Sequence, residues 1–154
     1  MTSCNSMMPK KPFTIHYSKG EKNYAVNTAK YNINKTELGY ELTLEVYTKE
    51  TKEMSYNPSL ELTIVFPREP TLKVGDIWRN QSSQTKDLEN LSNFYIWTHE
   101  NFENYTVEVL EKTHLYIVFR VEGYIELNPS EDGTTKVSIT TKFALDKNLS
   151  RNVS

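Results

Sequence analysis

Apolar and polar residues alternate along most of this chain, the pattern a β-strand produces when one face lies on a core and the other in water. In LGYELTLEVYT, Leu38, Tyr40, Leu42, Leu44 and Val46 share one face while Glu41, Thr43 and Glu45 share the other. SLELTIVF repeats the pattern with Leu60, Leu62, Ile64 and Phe66. The polar, proline-bearing KETKEMSYNP between them has the content of a hairpin connection, which predicts that the two segments pair antiparallel. FTIHY places Phe13, Ile15 and Tyr17 in phase. NYAVNTAKYNIN carries Tyr24 and Val26, then Tyr31 and Ile33 on the opposite parity, a switch that predicts a bulge or a short break.

Pro67 and Pro70 close this first group, and Leu72 and Val74 lead through a Gly75–Asp76 turn to Ile77 and Trp78. From Asn80 to Ser92 the alternation stops, which predicts a long loop joining two halves, with one helical turn around Asp87 to Leu91. The strand pattern then resumes in NFYIWTHE, NYTVEVL, HLYIVFRVEGYIEL and TTKVSITTKFAL, with EKTH and NPSEDG as turns, the latter carrying Asp132–Gly133. Leu115, Ile117, Phe119, Val121, Ile125 and Leu127 share one parity across Gly123, an inward glycine that predicts a bend. The expectation is an all-β fold, an antiparallel sandwich or barrel of about eight strands with little helix. One domain spans residues 13–145, between tails at 1–12 and 146–154.

Composition adds the filling. Ten Tyr, six Phe and two Trp in 154 residues supply large rings, so aromatic side chains are expected to form much of the core. The 18 basic and 20 acidic residues are interspersed, and without a basic stripe a nucleic-acid partner is not expected.

The lone cysteine, Cys4, cannot close a disulfide within the chain. With no apolar signal core or membrane-spanning run in the sequence, a cytoplasmic location is expected. The opening MTSCNSMMPKKP nevertheless resembles the junction of a bacterial lipoprotein, where small residues such as Thr2 and Ser3 precede a lipidated cysteine and a polar tether follows. That resemblance implies a lipid anchor on Cys4 if the true start lies upstream of Met1.

Chemistry-bearing motifs are sparse. His99, Glu100 and Glu103 do not form H-E-x-x-H, and His16 and His114 lie elsewhere, so no metal site is expected. The sequence has no G-x-S-x-G elbow and no serine that can be set beside a histidine. Its five glycines are unclustered, so no phosphate loop or cofactor is expected. Glu41 with Glu45, or Glu108 with Glu126, could face each other as paired carboxylates, although such positions are usually a strand's solvated face.

The segment NFYIWTHENFENY departs from simple alternation: Phe94 and Ile96 take one face, Tyr95 and Trp97 the other, so both faces are apolar. Tyr116 and Arg120 likewise lie off the parity of Ile117 and Phe119. If the two strands were neighbours, Tyr95, Trp97, Tyr116 and Arg120 would meet in a patch of the residue types that dominate binding interfaces. The functional expectation is a non-enzymatic interaction module that binds another protein, for instance as a stoichiometric inhibitor. A small barrel holding an apolar ligand is the first alternative, favoured by a cavity above about 300 Å³. A carboxylate-dependent hydrolase, favoured by inward carboxylates in a cleft, is the second.

Overall fold

The computed structural model describes residues 11–37, 39–49, 57–79, 92–96, 99–126 and 134–147. Leu38, Leu127, the stretch 80–91 with its predicted loop and helical turn, and the Asp132–Gly133 turn lie outside the described residues, as do Cys4 and Trp97.

Among the described residues the fold is all-β. Its strands are β1 (Phe13–Tyr17), β2 (Gly20–Tyr24), β3 (Val26–Thr36), β4 (Gly39–Thr48), β5 (Ser59–Phe66) and β6 (Ile77–Arg79), followed by β7 (Ser92–Tyr95), β8 (His99–Glu100), β9 (Glu103–Lys112), β10 (Tyr116–Ile125) and β11 (Thr135–Leu145). They form a single sheet in the order β6-β9-β10-β11-β3-β4-β5-β7-β8, with β1 attached to β11 and β2 to β1. The predicted pairing of LGYELTLEVYT with SLELTIVF is present as β4 on β5, from Tyr40 opposite Phe66 to Tyr47 opposite Ser59.

The architecture differs in detail from the expected antiparallel sandwich or barrel of about eight strands. It is one strongly curled sheet of eleven strands, a half-barrel, and it is mixed. Ala144 and Leu145 of β11 run parallel to Lys30 and Tyr31 of β3, while the earlier part of β11, Lys136 to Ile139, pairs with β1 on the same edge. Alternation specifies which side chains point inward but carries no information on strand order or direction, so this parallel junction was not readable from it.

The curl brings distant strands into contact through their inward rings. Phe13 of β1 lies 6.0 Å from Phe94 of β7, and Phe66 of β5 lies 5.3 Å from Trp78 of β6, although β5 and β6 are far apart in the sheet order. Phe94, Phe102 and Tyr105 stack in sequence at 6.2 and 5.8 Å, and Phe119 meets Phe143 edge-on at 5.2 Å. Phe13, Phe94, Phe102, Phe119 and Phe143 are all fully buried, so aromatic rings do fill the interior.

The predicted irregularity in β3 is present, and a register shift lies where Gly123 was expected to bend its strand. The parity switch in NYAVNTAKYNIN is a β-bulge between Val26 and Thr28, which leaves Asn27 as the extra residue opposite β4. Near Gly123 the β9–β10 ladder shifts register between Glu122 and Tyr124. Gly123 also makes room: a Cβ there would sit 2.4 Å from the Phe102 ring. Its bulged partner segment contains Asn104 at φ 50°, a left-handed conformation that asparagine tolerates better than most residues.

No described helix is long and apolar enough to cross a membrane.

Candidate functional site

The structure separates the residues that parity had grouped. Tyr95 ends β7, whereas Tyr116 and Arg120 lie on β10, and β11, β3, β4 and β5 stand between those strands. The patch required β7 and β10 to be neighbours. In the folded sheet β10 instead pairs with β9 and β11, so Tyr95 does not join Tyr116 and Arg120 across a ladder.

Tyr116 and Arg120 belong to an outer surface that satisfies itself. Arg120 sits opposite Glu108 and forms an ion pair with it, giving Glu108 a cationic partner rather than a second carboxylate. The Lys142 ammonium lies 4.6 Å from the centre of the Tyr116 ring. The Tyr116 phenol hydrogen-bonds to Glu111, which together with desolvation raises its pKa above the ordinary tyrosine value.

Further along the same face the fold does set a serine beside a histidine. His16 Nε2 is 3.2 Å from Ser138 Oγ, His16 Nδ1 is 3.6 Å from Glu21, and Ser138 also donates to Glu122 at 3.3 Å. The order of groups is that of an acyl-transfer triad, but such chemistry also needs N–H donors aimed at the developing oxyanion. Ser138 lies where β11 is flanked by both β10 and β1, so the surrounding amides are engaged in ladders. The residues are 122 positions apart, and no local pattern in the sequence announces their meeting.

The more distinctive arrangement surrounds Tyr95. The ladders align Thr28 with Tyr47, Tyr47 with Ser59 and Ser59 with Tyr95, making one row across β3, β4, β5 and β7. A small serine therefore lies between two tyrosines whose Cα atoms are about 10 Å apart, two strand spacings. A groove of about 580 Å³ runs over this row. Asn27 lines it from the β3 bulge, a place where an extra residue commonly re-aims a side chain, and Asn57 and Thr48 complete the lining at the β4–β5 end.

Both rings are braced from below or beside. The Tyr47 hydroxyl donates to Glu61 at 2.9 Å and to Glu45 at 3.3 Å, so these facing carboxylates hold a phenol on the outer surface. Burial, reinforced by the Glu61 contact, raises the Tyr47 pKa far above the ordinary tyrosine value. The Tyr95 ring, 37% exposed, packs at 5.1 Å against His99, whose Nδ1 is 3.0 Å from Asn93 Oδ1. His99 thus props an aromatic ring, and among the described residues no three His, Cys, Asp or Glu side chains cluster as metal ligands. By contrast, the side chains of Asn27, Asn57 and Ser59 have no hydrogen-bond partner among the described residues.

A second groove, of about 430 Å³, lies where Tyr31, Ile33, Leu72, Ile117 and Leu145 converge. Glu69 and Lys112 also line it, and Lys112 Nζ donates to the Thr71 carbonyl at 2.9 Å. It exceeds the size set for the apolar-ligand alternative, and its lining includes Leu72 and Ile117 of the buried core together with the charged Glu69 and Lys112.

No family model matches the chain, and no match was found among curated proteins or solved structures.

Proposed function

We propose that this protein is a non-enzymatic interaction module that engages another protein through the groove of Tyr47, Ser59 and Tyr95. One observation carries the reading: two aromatic rings held by internal contacts flank side chains whose hydrogen-bonding groups have no described partner. Rings fixed before binding lose little conformational entropy on contact, and unspent amides and hydroxyls supply orientation. The Tyr116–Arg120 surface lacks that second quality, because its charges are already engaged.

The test compares partner binding by the unaltered chain, Tyr95→Ala and Tyr116→Ala. Tyr95→Ala is expected to weaken binding by about 2 kcal/mol or more while leaving the melting temperature unchanged, and Tyr116→Ala to bind normally. Equal affinity of Tyr95→Ala and the unaltered chain would remove the groove from the interface.

A further inference from the structure

We infer that the element recognised in this groove is a neutral sugar chain, such as a glycan carried by the partner. The inference rests on the Tyr95 groove being the recognition site.

Among the described residues the lining carries no charged side chain. Its described residues are tyrosine, asparagine, threonine and serine, with no lysine, arginine or histidine to compensate an anion. The nearest ionised groups behind Tyr47 are the carboxylates of Glu45 and Glu61, which repel phosphate, sulfate and acidic sugars alike. A cation gains little here either, since both carboxylates are committed to the phenol and lie outside the lining.

What remains is a neutral surface that offers both donors and acceptors. The Asn27 and Asn57 amides and the Ser59 hydroxyl each supply both, which matches neighbouring sugar hydroxyls that must themselves donate and accept, whereas the Thr48 hydroxyl already donates to the Pro58 carbonyl. The Tyr47 proton is spent on carboxylates, so its oxygen presents an acceptor of fixed position. Sugars also carry apolar C–H faces, and the flat rings of Tyr47 and Tyr95 provide counterparts to them. The Tyr–Ser–Tyr row suits that geometry, because a small residue between two rings leaves a floor on which a six-membered ring can lie.

An extended peptide is a poorer match. At Tyr47 the sheet is continuous, with β4 paired to β3 on one side and β5 on the other, so the floor of the groove offers no backbone edge for strand addition. Among the described residues the groove also lacks an aliphatic anchor pocket: the floor is Ser59 and the ends carry amides and hydroxyls.

The probes are maltotriose, cellotriose, mannotriose and chitotriose, titrated singly into the isotope-labelled full chain to about 10 mM, a range that captures weak single-site contacts. At least one is expected to shift the amide signals of Asn27, Asn57, Ser59 and Tyr95 in a saturable manner. Tyr95→Ala should weaken that binding about tenfold or more, and Asn57→Ala should weaken it too, whereas Tyr95→Phe, which keeps the ring face, should stay within about threefold. Absence of shifts with all four sugars, or shifts confined to other residues, overturns the sugar assignment. If partner binding still depends on Tyr95 in that case, the groove stands and only its ligand class is wrong. If partner binding is indifferent to Tyr95, the recognition site itself falls.

Discussion

The outer faces of β9–β10–β11 and of β3–β4–β5–β7 arise from the same one-by-one alternation, yet their outward residues behave differently. On the first, Arg120 meets Glu108, Lys136 lies 3.7 Å from Glu122, and Lys142 covers Tyr116. On the second, Tyr47 and Tyr95 are braced while Asn27, Asn57 and Ser59 stay without described side-chain partners. Charge pairing across strands closes a surface, because each group already has its counterpart. Neutral groups arranged around rigid rings leave hydrogen-bonding capacity for something else. An alternating strand thus encodes a core face reliably, and its outer face acquires meaning only from what the neighbouring strands place beside it.

The contrast should stop at the surface, since both regions share one interior, and the largest expected effect tests this. Phe119→Ala, beneath the paired region, and Phe94→Ala, beneath the groove, remove fully buried rings from the same aromatic core. Each should cost about 3 to 5 kcal/mol of folding stability in denaturant melts. A full loss at Phe119 with a small one at Phe94 would mean that the groove end is a separable unit.

A smaller effect distinguishes the surfaces themselves. The Arg120–Glu108 pair is exposed, with 45% and 24% of the two side chains accessible, so Arg120→Ala should cost less than about 1 kcal/mol. That cost should shrink further as salt is raised toward about 1 M, where screening is nearly complete. A loss of several kcal/mol that is insensitive to salt would show the charge row to be structural rather than a self-satisfied surface.

How much of this could be read in advance follows from the range of each signal. The bulge at Asn27 was legible because a parity switch is written into consecutive residues, Tyr24 and Val26 against Tyr31 and Ile33. The β4–β5 hairpin was legible for the same reason. Tyr95 could be chosen as an outward ring, but its companions could not, because Tyr47 and Ser59 are joined to it only by strand order. Grouping it with Tyr116 assumed that segments resembling each other would lie side by side, and four strands intervene. His16 and Ser138, or β11 and β3, meet through contacts across almost the whole chain, which alternation cannot encode.

The smallest expected effect is alkaline and compares one phenol from each surface. Tyr47 is raised mainly by burial and then by its bond to Glu61, while Tyr116 is raised chiefly by its bond to Glu111. In both cases the folded chain keeps a proton that the unfolded chain releases near the ordinary value of 10.0. The folded state then binds more protons than the unfolded one, so unfolding free energy falls as pH rises. The stabilisation is complete below the ordinary tyrosine value and is lost progressively above it. Tyr47→Phe removes one such group and should flatten the decline between about pH 9 and pH 11, where an unfolded tyrosine titrates. Tyr116→Phe should flatten it less, because its phenol is solvent-exposed and its hydrogen bond is screened. Tyr31, raised by burial, contributes with the same sign in both variants and cancels from the comparison. Urea melts of the three proteins across that interval measure the slopes. If Tyr47→Phe loses stability as steeply as the unaltered chain, the Tyr47 ring is not fixed by Glu61 and Glu45 in solution, and the groove loses one of its two rigid walls.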